Sequence, residues 1–466
     1  GAGSILVTRF GAVDKDGFVD LAEFGGSLLQ HSSLSAECGE TIPPEANVVA
    51  NRATPALFGF GLIDAIDDAD ILANETTPPE GVSGRAHMVE ALEAPGTPRV
   101  GRFGWKSQVP TVLTFSADAS LNEMGLTNRF LQQENDPNGL LPPALIDCDM
   151  VPDPEDGPEG GVMGAPHFID RVTDFQRFLA PPPQTPRSGM SGEAIFNSVG
   201  CADCHTPAFN TGVVAEAALS SKTAKVYSDF LLHDMGGLGD GIGQGDAGLT
   251  EMRTPPLWGM RLRTTFLHDG RVTSGSFADR VNAAIAAHGA TGSEAAASAG
   301  AYAALSMSEK SAMIAFMDSL GRREFDHNGD GAITAFDLGV FRLCYDANGP
   351  YSPDDACAVS DADQDGDVDD DDLALFLTVY TGSQADCNAN LTDDASEIVS
   401  GLADDCNING IPDDCDPPFD LVAEFVQQLL FASSTELGPI CPRFDSNNDG
   451  LLDGRDVNGF TQQLLP

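Results

Sequence analysis

The sequence predicts a mainly α-helical chain with much irregular loop, in which one large unit over residues 1–323 precedes smaller acidic modules over 324–382 and 383–466. Three observations predict it. Apolar residues recur at helical spacing in stretches such as 192–200, 284–289, 336–345 and 373–380, between loop-rich segments. The formal charge of −47 is uneven: from Glu324 onward 31 acids face three Arg, net −28, whereas residues 1–323 hold 40 acids and 21 bases, net −19. An Asp-x-Asn/Asp-x-Asp-Gly pattern then recurs through the acidic part. At 466 residues the chain exceeds one ordinary domain, and about 150 residues per domain suggests about three.

An acidic excess of this size argues against nucleic acid or an anionic membrane as partner and favours divalent cations or basic proteins. No apolar run approaches the roughly 18 residues of a membrane helix. The chain opens on Gly1 without a charged-then-apolar leader and reads as a mature, processed chain.

Residues 1 to about 80 read as loop, with a turn near Asp14–Gly17. Asp14, Asp16, Asp20 and Glu23 fall at calcium-loop offsets, but Ala12 holds the first position, so a plain turn is expected. The run Phe58–Ile66 reads as an apolar entry into a helix.

Gly192–Gly200 reads as a helix delivering Cys201-Ala202-Asp203-Cys204-His205. Cys-x-x-Cys-His is the attachment signature of a c-type haem: two thioethers tether the porphyrin and the adjacent His ligates the iron. A redox dithiol and half a zinc site are the other readings of Cys-x-x-Cys, and the fifth residue favours haem. Likeness to c-type cytochromes places the chain outside the cytoplasm: secreted, periplasmic or at the cell surface. Eight further cysteines in an oxidising compartment are expected as disulfides. Cys344 pairs with Cys357, Cys38 with Cys148 by elimination, and Cys387, Cys406, Cys415 and Cys441 allow three connectivities.

A longer ordered series surrounds the motif: Gly101-Arg102-Phe103-Gly104-Trp105-Lys106, Asn122-Glu123-Met124-Gly125, Tyr227–Gly236, Arg253–Gly259 and Phe266–Arg271. With it the chain resembles, over roughly residues 5 to 321, the di-haem oxidoreductases, distant relatives of bacterial di-haem cytochrome c peroxidase. The resemblance implies a c-type cytochrome unit with an electron-donor or electron-acceptor protein as partner. It makes Glu123 the acid/base that moves protons during O–O cleavage and Trp105 the electron relay between haems. His288, on the helix after the His-Asp-Gly turn, is the expected sixth ligand, with Met235 the alternative. His233 and His268 are expected as cofactor contacts near the haem propionates. The relatives carry a second Cys-x-x-Cys-His ahead of the region matched here, and this chain has one. A second haem is expected on a segment preceding Gly1, or the chain is a single-haem descendant.

Beyond Arg323, Asp326, Asn328, Asp330 and Asp337 stand at calcium-loop positions one, three, five and twelve, with Gly331 at six. Asp361, Asp363, Asp365, Asp369 and Asp372 repeat the pattern, as do Asp445, Asn447, Asp449, Asp453 and Asp456. Two Cys-marked copies add Asp386, Asn388, Asn390 and Glu397, then Asp405, Asn407, Asn409, Asp413 and Asp416. Loop-helix units of this kind resemble EF-hand-like dockerin modules, and the Cys-marked loops resemble thrombospondin type 3 repeats. They imply about three to five structural calcium ions, with metal binding coupled to folding. The expected function is an extracytoplasmic c-type haem oxidoreductase of peroxidase type. The alternative is a calcium-stabilised structural, adhesive or filament-forming cytochrome that carries electrons, self-assembling or docking on a surface through these modules.

Overall fold

The computed structural model describes residues 6–139 except 26–27, 34–35 and 77–80; residues 148, 153–155, 167–185 and 190–328; and then 331–345, 356–362, 367–382, 386–387, 390, 392–406, 409–415 and 455–463, with isolated positions between. The chain divides into two compact units, 1–186 with 191–321 and 187–190 with 322–466.

The N-terminal segment, expected as loop, forms a four-stranded antiparallel sheet. Strand β1 (Leu6–Asp14) pairs with β2 (Gly17–Val19), β3 (Leu28–Leu29) and β4 (Val48–Ala53). Val7, Thr8, Phe10 and Val13 suit a pleated, half-buried surface, but Phe10 and Gly11 are buried in succession, which breaks the alternation that signals a strand. The turn near Asp14 is present: Asp14 Oδ1 accepts from the amides of Asp16 and Gly17 at 2.7 and 3.2 Å, so that carboxylate is engaged by the backbone.

Helix α1 (Phe60–Asp64) is the short helix announced by the apolar run, and α2 (Asp68–Thr76) follows it. Phe60 of α1, Phe103 and Phe115 of α3 (Val112–Met124) pack in a cluster with ring centroids 4.7 to 6.3 Å apart. Around it lie buried Ile63, Ile71, Val100, Phe230 and Trp258. Arg102 is buried beneath this core, where it donates to the carbonyls of Ile63 and Ile66 and pairs with Asp68. It therefore satisfies carbonyls at the end of α1. Helix α4 (Phe168–Phe178) packs on α3 and α1, and α5 (Ser191–Ser198), α6 (Phe277–His288), α7 (Ala296–Ala304) and α8 (Met307–Ser319) complete the unit. α6 and α8 each begin with a capping box, Ser276 with Asp279 and Ser306 with Glu309. Among the described residues no helix is long and apolar enough to cross a membrane.

In the second unit, α9 (Ala335–Cys344), α10 (Asp370–Val379), α11 (Asp394–Val399) and α12 (Asp456–Gln463) follow the acidic loops. Phe325, Phe341, Phe376 and Tyr380 form one aromatic cluster with Ile333, Val368 and Ile398, in which Phe376 stacks on Tyr380 and Phe325 meets Phe341 and Phe376 edge-on. The helix read at 419–431 lies largely outside the described residues. Disulfides join Cys38 to Cys148, Cys344 to Cys357, and Cys387 to Cys415, the last deciding among the open connectivities. Cys406 is also disulfide-bonded; Cys441 lies outside the described residues.

Candidate functional site

Helix α5 delivers the Cys-x-x-Cys-His stretch, and two glycines set its course. At Gly192 a Cβ would lie 2.1 Å from the Ala312 carbonyl oxygen, so α5 approaches α8 as closely as only glycine allows. Gly200, at φ 82°, lets the chain leave the helix through a left-handed residue into the short 3-10 turn Cys201–Asp203. Phe196 then packs edge-on against His205, Tyr227 and Phe316 at 6.2, 6.0 and 5.5 Å.

The motif opens on a cavity of about 490 Å³, within the range of cofactor sites. Cys201, Cys204, His205, Met235 and His288 line it, as do Trp105, His233 and His268. Its walls are largely apolar; Phe196, Met252, Trp258, Met313 and Met317 meet there, a convergence that no motif in the sequence announces. These wall residues come from separate parts of the chain, and only Met313 and Met317, one turn apart on α8, share a local pattern.

His205 Nδ1 lies 2.8 Å from the Tyr227 carbonyl oxygen, and His288 Nδ1 lies 2.8 Å from that of Ala284, one turn back in α6. A carbonyl only accepts, so each Nδ1 carries the proton and each Nε2 keeps its lone pair. Burial pushes His205 down to about 4, with His288 adding to the effect, and burial lowers His288 as well. The result is two neutral imidazoles within electrostatic reach of each other, in the tautomer a metal-ligating His takes when its other nitrogen is anchored.

Cys201 and Cys204 are unpaired although this chain builds disulfides elsewhere. Burial pushes the Cys201 thiol up to about 12 and raises Cys204 too. A working redox dithiol needs the opposite shift. A zinc site needs four converging ligands; the groups converging on Cys204 are Asp229 and His233, and His233 is already committed. Its Nε2 lies 2.8 Å from Asp229 Oδ2, and its Nδ1 lies 3.1 Å from Glu294 Oε2 and 3.6 Å from Cys204 Sγ. Burial opposes its charge, but the bonds to Asp229, Cys204 and Glu294 outweigh burial and push it up to about 12. His233 is thus a clamped imidazolium in the cavity wall, with no lone pair to offer iron. Two thiols free for thioether linkage, two Nε2 lone pairs and apolar walls fit a covalently bound haem.

Trp105 stands edge-on to buried His268, ring centroids 6.2 Å apart, and its indole N–H donates to the Ala53 carbonyl at 2.7 Å. Burial holds the His268 imidazole below its ordinary value. Glu123 does not join this group. It stands at the exposed end of α3, outside the cavity lining; loss of hydration against neighbouring chain pushes its carboxyl upward, Arg9 opposes and Asp118 adds.

In the second unit the loop carboxylates turn inward. Asp326 is buried, its Oδ2 accepting from the Gly331 amide at 3.0 Å while Oδ1 has no hydrogen-bond partner. Asp337, fully buried, accepts from the amides of His327 and Thr334, both at 2.8 Å; burial raises its carboxyl, and Asp326 adds to the rise. Among the described residues no cationic side chain pairs with either. Asp372 and Asp456 are equally buried and accept from Ala362 and Ser446. Asp369 caps α10, Asn328 and Asp361 lie in their loops, and Glu397 meets Asn390 at 2.5 Å. In the Cys-marked loops the carboxylates at position nine, Asp394 and Asp413, close the turn by accepting from Cys387 and Cys406, each at 2.9 Å. The carboxylates of Asp386 and Asp405 accept from the amides of Asn390 and Asn409. Asp330, Asp363, Asp365, Asn388, Asn407, Asp416, Asp445, Asn447, Asp449 and Asp453 lie outside the described residues.

Compared with known proteins, the chain matches neither a curated protein nor a solved structure. One family's sequence model does match, over residues 40–320, a narrower span than the resemblance drawn from about residue 5. Its description is "Di-haem oxidoreductase, putative peroxidase". The matched residues include the motif, both histidines with free Nε2 and the whole cavity lining, and they amount to well over half of the sequence: the chain belongs to the di-haem oxidoreductase family.

Proposed function

We propose that the chain is an extracytoplasmic c-type haem oxidoreductase. The observation that carries this is the pairing of His205 and His288, each anchored through Nδ1 and each offering Nε2 to a cavity that also holds two unpaired cysteines. Cys201 and Cys204 would hold the haem by thioethers, and His205 and His288 would ligate its iron; Met235 remains the alternative to His288. The haem, when bound, supplies one-electron chemistry. Trp105, at the cavity wall, is the side chain through which electrons would pass, and Glu123 would move protons at a second haem outside this cavity. The redox partner is a protein, and the acidic surface suits a basic one.

A second reading is a calcium-stabilised cytochrome that carries electrons or assembles through its tail. What favours it is the set of buried loop carboxylates, Asp326 and Asp337 above all, which lack a cationic side chain and suit structural calcium. Replacing His288 with Ala tests the first reading. The optical spectrum should change from six-coordinate low-spin to high-spin, while Met235→Ala leaves it low-spin. An unaltered spectrum in His288→Ala removes His288 as ligand.

A further inference from the structure

Buried charges need partners, because leaving water costs several kcal/mol per ion unless an opposite charge or a full set of hydrogen bonds replaces it. Most buried guanidiniums here obey this rule. Arg52 meets Asp240 at 2.6 Å, Arg102 meets Asp68, and Arg177 meets Asp64 and Glu216 at 3.4 and 2.9 Å.

Buried Arg253 and half-buried Arg263 do not. Arg253 is 5% exposed and donates only to main-chain carbonyls: Nε to Gly104 at 2.6 Å and Nη1 to Thr254 at 3.2 Å. Arg263 donates through Nη2 to the carbonyls of Pro256 and Trp258 at 3.1 and 3.4 Å, and its buried Nε has no partner. Among the described residues neither forms an ion pair. Burial pushes both down to about 10; at Arg253 the nearby charge of Arg263 adds to the fall, and Asp229, committed to His233, opposes it only in part. Both side chains line the same cavity as the Cys-x-x-Cys-His stretch. Two like charges beside one void, held only by carbonyls and with one nitrogen unpartnered, would be stabilised by an anionic group lying between them.

We infer that Arg253 and Arg263 form a dicarboxylate subsite that takes both propionates of the haem, fixing its orientation with the propionate edge turned inward. The inference rests on the haem reading above. Guanidiniums suit the task because their planar fork matches a carboxylate bidentately and stays charged when buried. Neither arginine touches the iron; both act as positioning residues through the propionates.

The test uses the full chain matured with covalent haem, in wild type, Arg253→Gln, Arg263→Gln and the matching Lys variants. Midpoint potential is followed against pH above the ordinary carboxylate range of about 4 to 5. Wild type and the Lys variants should show a flat profile, since paired propionates stay ionised. Each Gln variant should have a lower potential, because a positive charge opposing ferric iron is gone. It should also gain a limb that rises as pH falls, as the unpaired propionate protonates. Gln variants that lose haem while Lys variants keep it also support the subsite. Gln variants loaded with haem and matching wild type in potential and profile overturn it, as do Lys variants that lose haem as fully as Gln. Wild type carrying no covalent haem instead refutes the reading beneath it, and intact mass separates the two failures.

Discussion

Replacing Gly192 with alanine puts a methyl group where α5 and α8 touch. The new Cβ would stand 2.1 Å from the Ala312 carbonyl oxygen and 2.7 Å from Phe316 Cβ. An ordinary C···O contact is about 3.3 to 3.6 Å, so the helices must part by roughly 1 Å. Overpacking costs about 1 to 3 kcal/mol, and the upper half of that range applies because the first atom met belongs to the backbone and cannot rotate away. At about 2 to 4 °C per kcal/mol for a unit of some 200 residues, less for a larger one, the melting temperature should fall by about 5 °C. The damage also reaches the site, since Phe196 rides on α5 and packs on His205 and Phe316; covalent haem content should fall with stability. The assay is a far-UV circular dichroism melt in excess calcium, with haem content read by absorbance. A Gly192→Ala chain that melts with wild type and carries as much haem would refute the close approach of the two helices.

Glu294 accepts from His233, the Ser83 amide and hydroxyl and the Asp234 amide, which together overcome burial and hold it down to about 2 from 4.5. A depressed carboxylate stabilises above its unfolded pKa and loses that contribution as pH falls through the folded one, here between 4.5 and about 2. Glu294→Gln should therefore cost, once solvent screening of this partly exposed group is allowed for, on the order of 1 to 2 kcal/mol at pH 7, and the gap from wild type, measured by urea unfolding, should close as pH approaches 2; an equal gap at both ends contradicts the clamp. Removing calcium with a chelator, or replacing Asp326 with Ala, should lower the calorimetric transition of the second unit by several degrees and leave the haem spectrum alone; an unchanged transition means these loops hold no structural ion. Glu123→Gln should abolish reoxidation of the reduced protein by peroxide without altering haem content, and unchanged turnover removes Glu123 from the mechanism.

What the sequence revealed depended on whether chemistry is local. The Cys201–His205 spacing was legible because thioether attachment and ligation demand it within five residues. His288 could be singled out only through family likeness, and what suits it to ligation, the Ala284 carbonyl on Nδ1, is a helical i−4 contact that follows once α6 forms. His233 carried its family motif, yet its state comes from Asp229 four residues back together with Glu294 sixty-one residues on, and no local pattern announces the second. That Arg253 and Arg263 form no ion pair among the described residues was illegible for the same reason: pairing is a property of the packed chain. The N-terminal sheet escaped notice because its longest pairing, β1 with β4, joins residues some forty positions apart and β1 buries consecutive residues at Phe10 and Gly11.

The most direct test is the denatured intact mass of the full chain matured where c-type haems are attached. A haem should be covalently retained under denaturing conditions, reduced to a single thioether in Cys201→Ser or Cys204→Ser and lost in the double variant. A mass equal to the bare polypeptide, with both Cys201 and Cys204 open to alkylation, would contradict it.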